Sequence, residues 1–367
     1  MATPPTLPVP ILDLVLSQGG LSDADLARCA LVSSTFLDLA RRSLYWRLSL
    51  KVDEWTLRLK AGGAGQLKQI EADPTLAGLV REVVLEKQDT KAGDSVSEET
   101  LQNSYARYLA AVLGNCRNVR RVNVQRSPAS VDFTTKLTAA SPTLTHLSLN
   151  HGTSFFPIAR FFPCLQSLTF FPIPRKPYTL PSAVPPISLT SLALHLPPFV
   201  DDLRHDAIRL FSGSIYLSSV VSLTHLRIPL SFLTFFDTRP HLVPPNLTSL
   251  HLETQSVWFR ERDYPSFRHV AELKYLRNLT ISGLSGLRSE LNNFRRRVLP
   301  DQFPSTLSEL RLERGLTPSE ATDLAIVGSH QALRRLAWRP DTDYLLEEEV
   351  SFEVEAVRKG CELIGVE

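Results

Sequence analysis

Histidine is the residue type through which this 367-residue chain could bind a metal ion or transfer protons near neutral pH. Four histidines lie within or directly beside a repeated apolar motif: His146, His195, His225 and His251. Zinc-binding helices carry two histidines at positions i and i+4, with a glutamate between them. None of the four has a partner at that spacing, and each belongs to a different copy of the motif. We therefore predict no metal site and no cofactor.

Motifs of covalent and phosphate chemistry are also missing from the sequence. It contains no GxSxG nucleophile turn, no Cys/His dyad and no glycine loop followed by Lys-Ser or Lys-Thr. Gly62, Gly63 and Gly65 form a glycine cluster without such a lysine, so they predict a bend or a helix cap. The sequence predicts a protein that is not an enzyme.

The histidines are carried by a motif in which an apolar residue is followed by two more, three and five positions later. Leu144-Thr-His-Leu147-Ser-Leu149 is one copy. Ten copies follow one another, and their first apolar residues are Val80, Val119, Leu144, Leu165, Leu189, Leu223, Leu247, Leu276, Leu307 and Leu333. Most intervals are close to the period of leucine-rich repeats, roughly 20–29 residues.

The spacing inside the motif indicates a short strand. Alternate side chains of a strand share a face, so the second and third apolar residues point into one core. One repeat cannot bury its apolar side alone, and repeats therefore stack with their strands in a parallel sheet. We predict an α/β fold: an irregular leucine-rich-repeat solenoid with a curved parallel sheet and a convex side of mixed helices and loops.

The residues between the strand leucines lie on the open face of the predicted sheet, where repeat proteins bind partners. Our candidates for binding a protein substrate are His225, Arg227, His251, Glu253, Arg311 and Arg335. The alternative for each of them is an ordinary solvated residue of the sheet.

Composition narrows the class of partner and the compartment. The chain has 40 Lys and Arg against 38 Asp and Glu, a net charge of +2, whereas nucleic-acid binding would favour a strong basic excess. Its four cysteines are far apart with no CxxC pair, which favours reduced thiols and a cytoplasmic and/or nuclear location. No signal-peptide pattern and no apolar stretch of about 18 residues occurs, so we expect no membrane association.

The N-terminal segment follows a different pattern. Pro10 suits the first turn of a short helix, and Ser22-x-x-Asp25 resembles a capping box that begins a second one. Ser33 or Ser34 can cap a third helix. Three short helices in so small a segment need a neighbour or a partner to be stable.

This segment resembles an F-box. The resemblance rests on Leu7-Pro8, the apolar run Ile11 to Leu16, Asp25-Leu26, Val32-Ser33-Ser34-Thr35-Phe36 and Leu44-Tyr45-Trp46. Pro10 replaces an acidic residue of the family pattern, Tyr45 is inserted before the tryptophan, and Gly19-Gly20 lengthens the first loop. An F-box followed by leucine-rich repeats is a known family architecture.

The resemblance implies a function. In that family the F-box binds a Skp-type adaptor, which connects to a cullin-based ubiquitin ligase, and the repeats hold the protein to be ubiquitinated. It also implies that the apolar adaptor-binding residues are Leu7, Pro8, Ile11, Leu12, Val15, Leu16, Leu31 and Val32. The alternative is that some of them only hold the helices together.

Four regions are predicted along the chain. They are a three-helix F-box-like domain at 1–50, a helical joint at 51–79, a solenoid of about ten repeats at 80–340 and a C-terminal cap at 341–367. Apolar periodicity predicts a full helix at 97–116, and Thr317-Pro318-Ser319-Glu320 predicts the start of another.

Two functional hypotheses remain open. The favoured one is the substrate-recognition subunit of a Skp–cullin–F-box ubiquitin ligase. The alternative is a cytosolic leucine-rich-repeat scaffold without a ligase role, whose N-terminal segment is a structural cap. The two differ in whether the apolar face around Leu7, Pro8, Ile11 and Leu12 is exposed or covered by the first repeats.

Overall fold

A computed structural model of the chain describes residues 8–18, 21–53, 57–87, 98–124, 143–149, 164–170, 188–194, 214–253, 267–282, 303–312, 332–338 and 362–365. The chain divides into two compact units. Unit 1 is Met1–Leu165 with Lys176–Tyr178, and unit 2 is Gln166–Arg175 with Thr179–Glu367. The N-terminal helices and the first repeats belong to unit 1, and the later repeats belong to unit 2.

Unit 1 begins with three helices: α1 (Val9–Gln18), α2 (Asp23–Cys29) and α3 (Ser34–Trp46). Pro10 lies in the first turn of α1, where its missing N–H costs no helical hydrogen bond. Ser22 and Asp25 form a complete capping box at the start of α2. Ser33 caps α3, because its Oγ accepts a hydrogen bond from the Phe36 N–H at 3.3 Å. The three predicted helices are confirmed, with the predicted caps.

The three helices, here called the head (residues 8–46), enclose a small core. Leu16, Leu26 and Leu39 are buried at its centre. Leu12, Cys29, Phe36 and Leu44 pack against these three and stay partly exposed. A fully buried aliphatic side chain contributes roughly 1.5–3 kcal/mol, so a core of this size gives the head only modest stability.

The sheet of unit 1 begins earlier than the sequence predicts. Helix α3 leads directly into strand β1 (Arg47–Val52), which pairs in parallel with β2 (Glu82–Lys87). The predicted domain boundary at residue 50 falls inside β1. Tyr45-Trp46-Arg47-Leu48-Ser49-Leu50 follows the repeat motif with tyrosine as its first apolar member, a signal that the F-box pattern over the same residues obscures.

Two helices connect β1 to β2: α4 (Ala61–Ala72) and α5 (Pro74–Ala77). The glycine cluster lies inside the first turns of α4, so it does not interrupt the helix. A Cβ atom added at Gly63 would lie 3.3 Å from Cδ2 of Leu50, closer than most real Cβ contacts. Glycine at this position therefore lets α4 approach β1 closely.

The rest of unit 1 contains helix α6 (Glu98–Asn115) and strands β3 (Arg121–Val124) and β4 (His146–Leu149). Helix α6 confirms the predicted helix at 97–116. Its stripe of Tyr105, Leu109 and Val112 is buried, as the apolar periodicity requires. The phenol of Tyr108 donates a hydrogen bond of 2.9 Å to the carbonyl of Leu57.

Unit 2 repeats the plan of a strand followed by a variable connection. Its strands are β5 (Ser167–Phe170), β6 (Ser191–Leu194), β7 (His225–Pro229), β8 (Ser249–Glu253), β9 (Asn278–Ser282), β10 (Glu309–Leu312), β11 (Arg335–Trp338) and β12 (Glu362–Gly365). Its described helices are α7 (Ser214–Ser219), α8 (Leu233–Thr238) and α9 (Arg268–Ala271), with 3₁₀ turns at Leu230–Phe232 and Pro240–Leu242. These described helices and turns are short and irregular.

Every strand keeps the same register within its unit. In unit 1 Val83 is opposite Val122, which is opposite Leu147. In unit 2 the equivalent line of apolar residues is Leu168, Leu192, Leu226, Leu250, Leu279, Leu310, Leu336 and Leu363. The ten predicted strands are confirmed as β2 to β11, and the predicted α/β leucine-rich-repeat fold is correct.

The strand leucines are the core of each repeat. Leu226 and Leu250 are 2% and 1% exposed, whereas the residues on either side of them in the strands, His225, Arg227, Ser249 and His251, are exposed or half-buried. At the end of the chain, the described part of the predicted cap is β12, one further parallel strand beside β11. The predicted helix at Thr317 and the rest of the cap lie outside the described residues.

A ladder of hydroxyl groups runs along the edge where the strands of unit 2 begin. The Thr190 hydroxyl donates to the Gln166 carbonyl (3.2 Å), Thr224 to the Thr190 carbonyl (3.1 Å) and Thr248 to the Thr224 carbonyl (3.0 Å). Each bond joins neighbouring repeats. The Leu-Thr-x-Leu form of these motifs is the sequence signal for this ladder.

Candidate partner-binding surfaces

The head exposes most of the apolar residues that the F-box resemblance assigns to adaptor binding. Pro8, Ile11 and Val15 are exposed on α1. Leu31 is 87% exposed and Val32 is 68% exposed in the turn between α2 and α3. Side chains that are this exposed to solvent contribute little to the stability of the fold, so they are available to a partner.

Two of the assigned residues lie elsewhere. Leu16, which we predicted on the binding surface, is 5% exposed and belongs to the core of the head. Leu12 is half-buried and packs against that core. The difference has a simple cause, because a helix of ten residues must turn one side toward α2 and α3. Leu7 lies outside the described residues.

Sequence reasoning missed two exposed residues of α1, Val9 and Leu14. The signal was available, since α1 is apolar on nearly all sides and a helix of this kind is either fully buried or partnered. We call the six exposed side chains Val9, Ile11, Leu14, Val15, Leu31 and Val32 the head patch. Exposed apolar groups of this kind mark sites of protein association.

Trp46, the last residue of α3, is also exposed. The guanidinium of Arg81 lies 6.0 Å from the centre of its ring, within the range of a cation–π contact. The backbone N–H of Arg81 donates to the Trp46 carbonyl at 3.0 Å. The end of the head is thus tied to the entrance of β2.

The sheet face of unit 2 carries five of the six predicted substrate-binding residues in two rows set by the strand register. The first row includes His225 and Arg335, and it also holds Ser249, Asn278 and Glu309. The second, which we call the central row, runs Ala193, Arg227, His251, Thr280, Arg311 and Ala337. Glu253 lies one step beyond the central row, opposite Pro229.

The structure brings four of these six residues together on β7 and β8. Arg227 forms an ion pair with Glu253, and its Nε donates a hydrogen bond to Glu253 Oε1 at 2.8 Å. His251 Nε2 lies 2.7 Å from the hydroxyl of Ser282 on β9. His225 Nδ1 lies 2.9 Å from the hydroxyl of Thr224. Arg311 and Arg335 lie on β10 and β11, separated from this group by β9.

The sheet face of unit 1 carries charges of both signs. Arg47 pairs with Glu82 at 3.7 Å and Lys51 with Glu86 at 3.4 Å, each across β1 and β2. His146 on β4 lies beside Arg121 on β3, and its pKa is lowered by burial and further by the Arg121 charge. This imidazole therefore favours the neutral form more strongly than a free histidine does.

A groove of about 480 Å³ opens at the strand entrance of β8 and β9. Asn246, Thr248, Tyr275, Arg277 and Asn278 line it. Its volume falls within the range of small-ligand sites, but its lining side chains are mostly exposed and carry no enclosed reactive group.

Among the described residues, no group of three or more His, Cys, Asp or Glu side chains is placed to hold a metal ion. His195 lies outside these residues. Burial raises the pKa of the Cys116 thiol to about 11, so it is protonated at neutral pH and is a poor nucleophile. No helix in the described part of the chain is long and apolar enough to cross a membrane.

Comparison with known families supports the N-terminal resemblance. Residues 5–51 match the family model described as F-box-like. No curated protein matches the sequence. The chain thus combines an F-box-like N-terminal segment with leucine-rich repeats.

Solved structures with similar folds are distant in sequence. The leucine-rich repeat-containing protein LegL7 from Legionella pneumophila is 14% identical with a TM-score of 0.49, over 87% of this chain and 90% of that chain. A chain of the Rad7 and Elc1 complex in yeast is 14% identical with a TM-score of 0.41, over 98% of this chain and 93% of that chain. Neither likeness bears on function.

Proposed function

We propose that this protein is a substrate-recognition subunit of a Skp–cullin–F-box ubiquitin ligase, acting in the cytoplasm and/or the nucleus. The head binds a Skp-family adaptor, the adaptor links the chain to a cullin, and the sheet face of the repeats binds a protein substrate. The chain itself carries no catalytic step in this proposal, because its role is to bring two proteins together.

The observation that supports the proposal most strongly is the head patch within a segment that matches the F-box-like model. Six apolar side chains that a small bundle leaves in water are a substantial source of binding free energy, at about 25 cal/mol for each Å² they bury. The scaffold alternative requires the face around Pro8 and Ile11 to be covered. Both residues are exposed in unit 1, which favours the ligase hypothesis.

The test is co-purification with a Skp-family adaptor. The full chain and a Leu31→Asp/Val32→Asp variant are each co-expressed with the adaptor, and the adaptor recovered per mole of chain is measured. We expect at least a tenfold loss in the variant, since burying two carboxylates in an apolar interface is strongly unfavourable. Both side chains are outside the core of the head, so the variant should keep the circular dichroism of the original chain.

Val221→Asp is the matched control, because Val221 is 64% exposed but belongs to unit 2. This variant should recover as much adaptor as the unaltered chain. Equal recovery by the Leu31→Asp/Val32→Asp variant would show that the head patch is not the adaptor site. No recovery by any of the three chains would favour the scaffold hypothesis.

A further inference from the structure

Arg311 on the sheet face has a buried N–H group without a hydrogen-bond acceptor. This group is the Nε–H, which is shielded from water. Within the described residues, its guanidinium has neither a hydrogen bond nor an ion pair. A charged donor that has lost its water without gaining an acceptor raises the free energy of the protein. A buried polar group of this kind therefore calls for a partner that the isolated chain does not supply.

Arg227 is an arginine of the same sheet whose acidic partner lies within the chain. Arg227 and Arg311 occupy the central row, and both side chains are half-buried. Glu253 accepts hydrogen bonds from both Nε and a terminal nitrogen of Arg227, so that arginine is already neutralised. The residue opposite Arg311 on β9 is Thr280, and on β11 it is Ala337, so neither neighbour in the row is acidic.

Both neighbours of Arg311 in the central row are residue types with short side chains, Thr280 on β9 and Ala337 on β11. The arginine side chain has four rotatable bonds and can swing to present Nε and one terminal nitrogen to the same pair of oxygens. Two other charged residues lie close by in the first row: Glu309, two positions earlier on β10, and Arg335 opposite it on β11.

We propose that Arg311 is the anchor for an acidic side chain, aspartate or glutamate, of the bound protein. This inference rests on the proposed function, because it assumes that the sheet face holds a protein substrate. A carboxylate matches the single positive charge and the planar fork of one guanidinium. A phosphate group, with close to two negative charges, would gain less here because Glu309 lies on the same face. The substrate segment is therefore acidic rather than phosphorylated.

Selection from a random peptide library tests the proposal without a known substrate. Phage-displayed 12-residue peptides are selected on the purified full chain, on Arg311→Gln and on Arg268→Gln. Arg268 is the matched control, because it lies on helix α9, off the strands, and the same positive charge is removed. The unaltered chain and Arg268→Gln should enrich Asp and Glu at one peptide position, and Arg311→Gln should not.

The enriched peptide is then synthesised in three forms, with Glu, Gln or phosphoserine at that position, and binding is measured by fluorescence anisotropy. We expect the Gln form to bind the unaltered chain about tenfold more weakly than the Glu form. On Arg311→Gln the two forms should bind equally, which assigns the lost affinity to this pair of residues. Phosphoserine should bind no better than Glu.

Three results would overturn the proposal: no acidic enrichment on the unaltered chain, the same enrichment on Arg311→Gln, or tighter binding of phosphoserine than of Glu. Adaptor co-purification of Arg311→Gln is measured in parallel and should equal that of the unaltered chain. A head that fails to bind the adaptor would remove the ligase function and leave the peptide result standing, so the two failures are distinguishable.

Discussion

Several large apolar side chains are exposed in the head, whereas the described strand leucines of the repeats are buried. Leu31 and Val32 of the head are largely in water, whereas Leu226 and Leu250 of the repeats are almost completely buried. The contrast follows from size and from stacking. Three short helices cannot surround all of their apolar side chains, but each repeat has a neighbour of the same shape to cover it.

The two regions also differ in the sequence separation of their hydrogen-bond partners. The polar contacts that join two residues of the head are local, as in the Ser22–Asp25 capping box, where the partners are three residues apart. The contacts of the repeats are distant in sequence, as between Thr224 and Thr190, which are separated by 34 residues. The head is thus held by hydrogen bonds between residues close in sequence and exposes an apolar surface. Each repeat is instead held by hydrogen bonds to the next repeat.

The largest expected effect comes from deleting a strand leucine. Leu250→Ala should lower the free energy of unfolding by about 2–5 kcal/mol, because it leaves a cavity between two packed repeats. Leu31→Ala should change it by about 0.5 kcal/mol or less. Urea unfolding followed by circular dichroism measures both. A similar decrease in the free energy of unfolding of both variants would show that Leu31 and Leu250 contribute equally to stability, contrary to their difference in burial.

An intermediate effect is expected from removing one hydroxyl in each region. Ser22→Ala deletes a helix cap and Thr224→Val deletes one step of the ladder, and each should cost about 1 kcal/mol. The two substitutions should destabilise different parts of the chain. Amide hydrogen exchange should quicken only around α2 in Ser22→Ala, but across β6, β7 and β8 in Thr224→Val. Faster exchange confined to β7 in the second variant would mean that the ladder does not couple the repeats.

The smallest effect concerns the pH dependence of unit 1. The pKa of His146 is lowered from 6.5 in the folded protein, chiefly by burial, so the unfolded chain takes up the proton first. Stability should therefore be complete above pH 6.5 and decline as the pH falls through 6.5 toward the lower pKa of the folded state. His146→Gln should make the urea midpoint less dependent on pH between 7.5 and 5.5. An unchanged slope would mean that other groups dominate.

Motif spacing predicted the repeats well because the spacing is itself a physical requirement. A residue that must be buried next to its equivalent in the preceding repeat has to recur in the same phase, as Leu226, Leu250 and Leu279 do. The start of the sheet was missed because Tyr45 to Leu50 satisfy two patterns at once, the end of the F-box and the beginning of a repeat. Only the pairing of β1 with β2 separates them.

The candidate surfaces were predicted less completely. We predicted Leu31, Val32, Ile11 and Leu16 on one surface, and the structure exposes the first three and buries Leu16. The sequence of an apolar helix does not show which of its sides faces the neighbouring helices. On the sheet face the sequence grouped Arg227 and Arg311 as equivalents. The structure separates them, because Glu253 lies beside one arginine and Thr280 beside the other.

The sequence by itself determined the helices of the head, the strands of the repeats and the residues that alternate between core and surface. These features depend on local geometry: the caps, the period of two along a strand and the recurrence of the motif. Only the tertiary structure decided which apolar residues of the head remain in water and which arginine of the sheet lacks an acceptor. The first depends on how the three helices of the head pack against one another, and the second depends on contacts between strands that form only when the repeats stack.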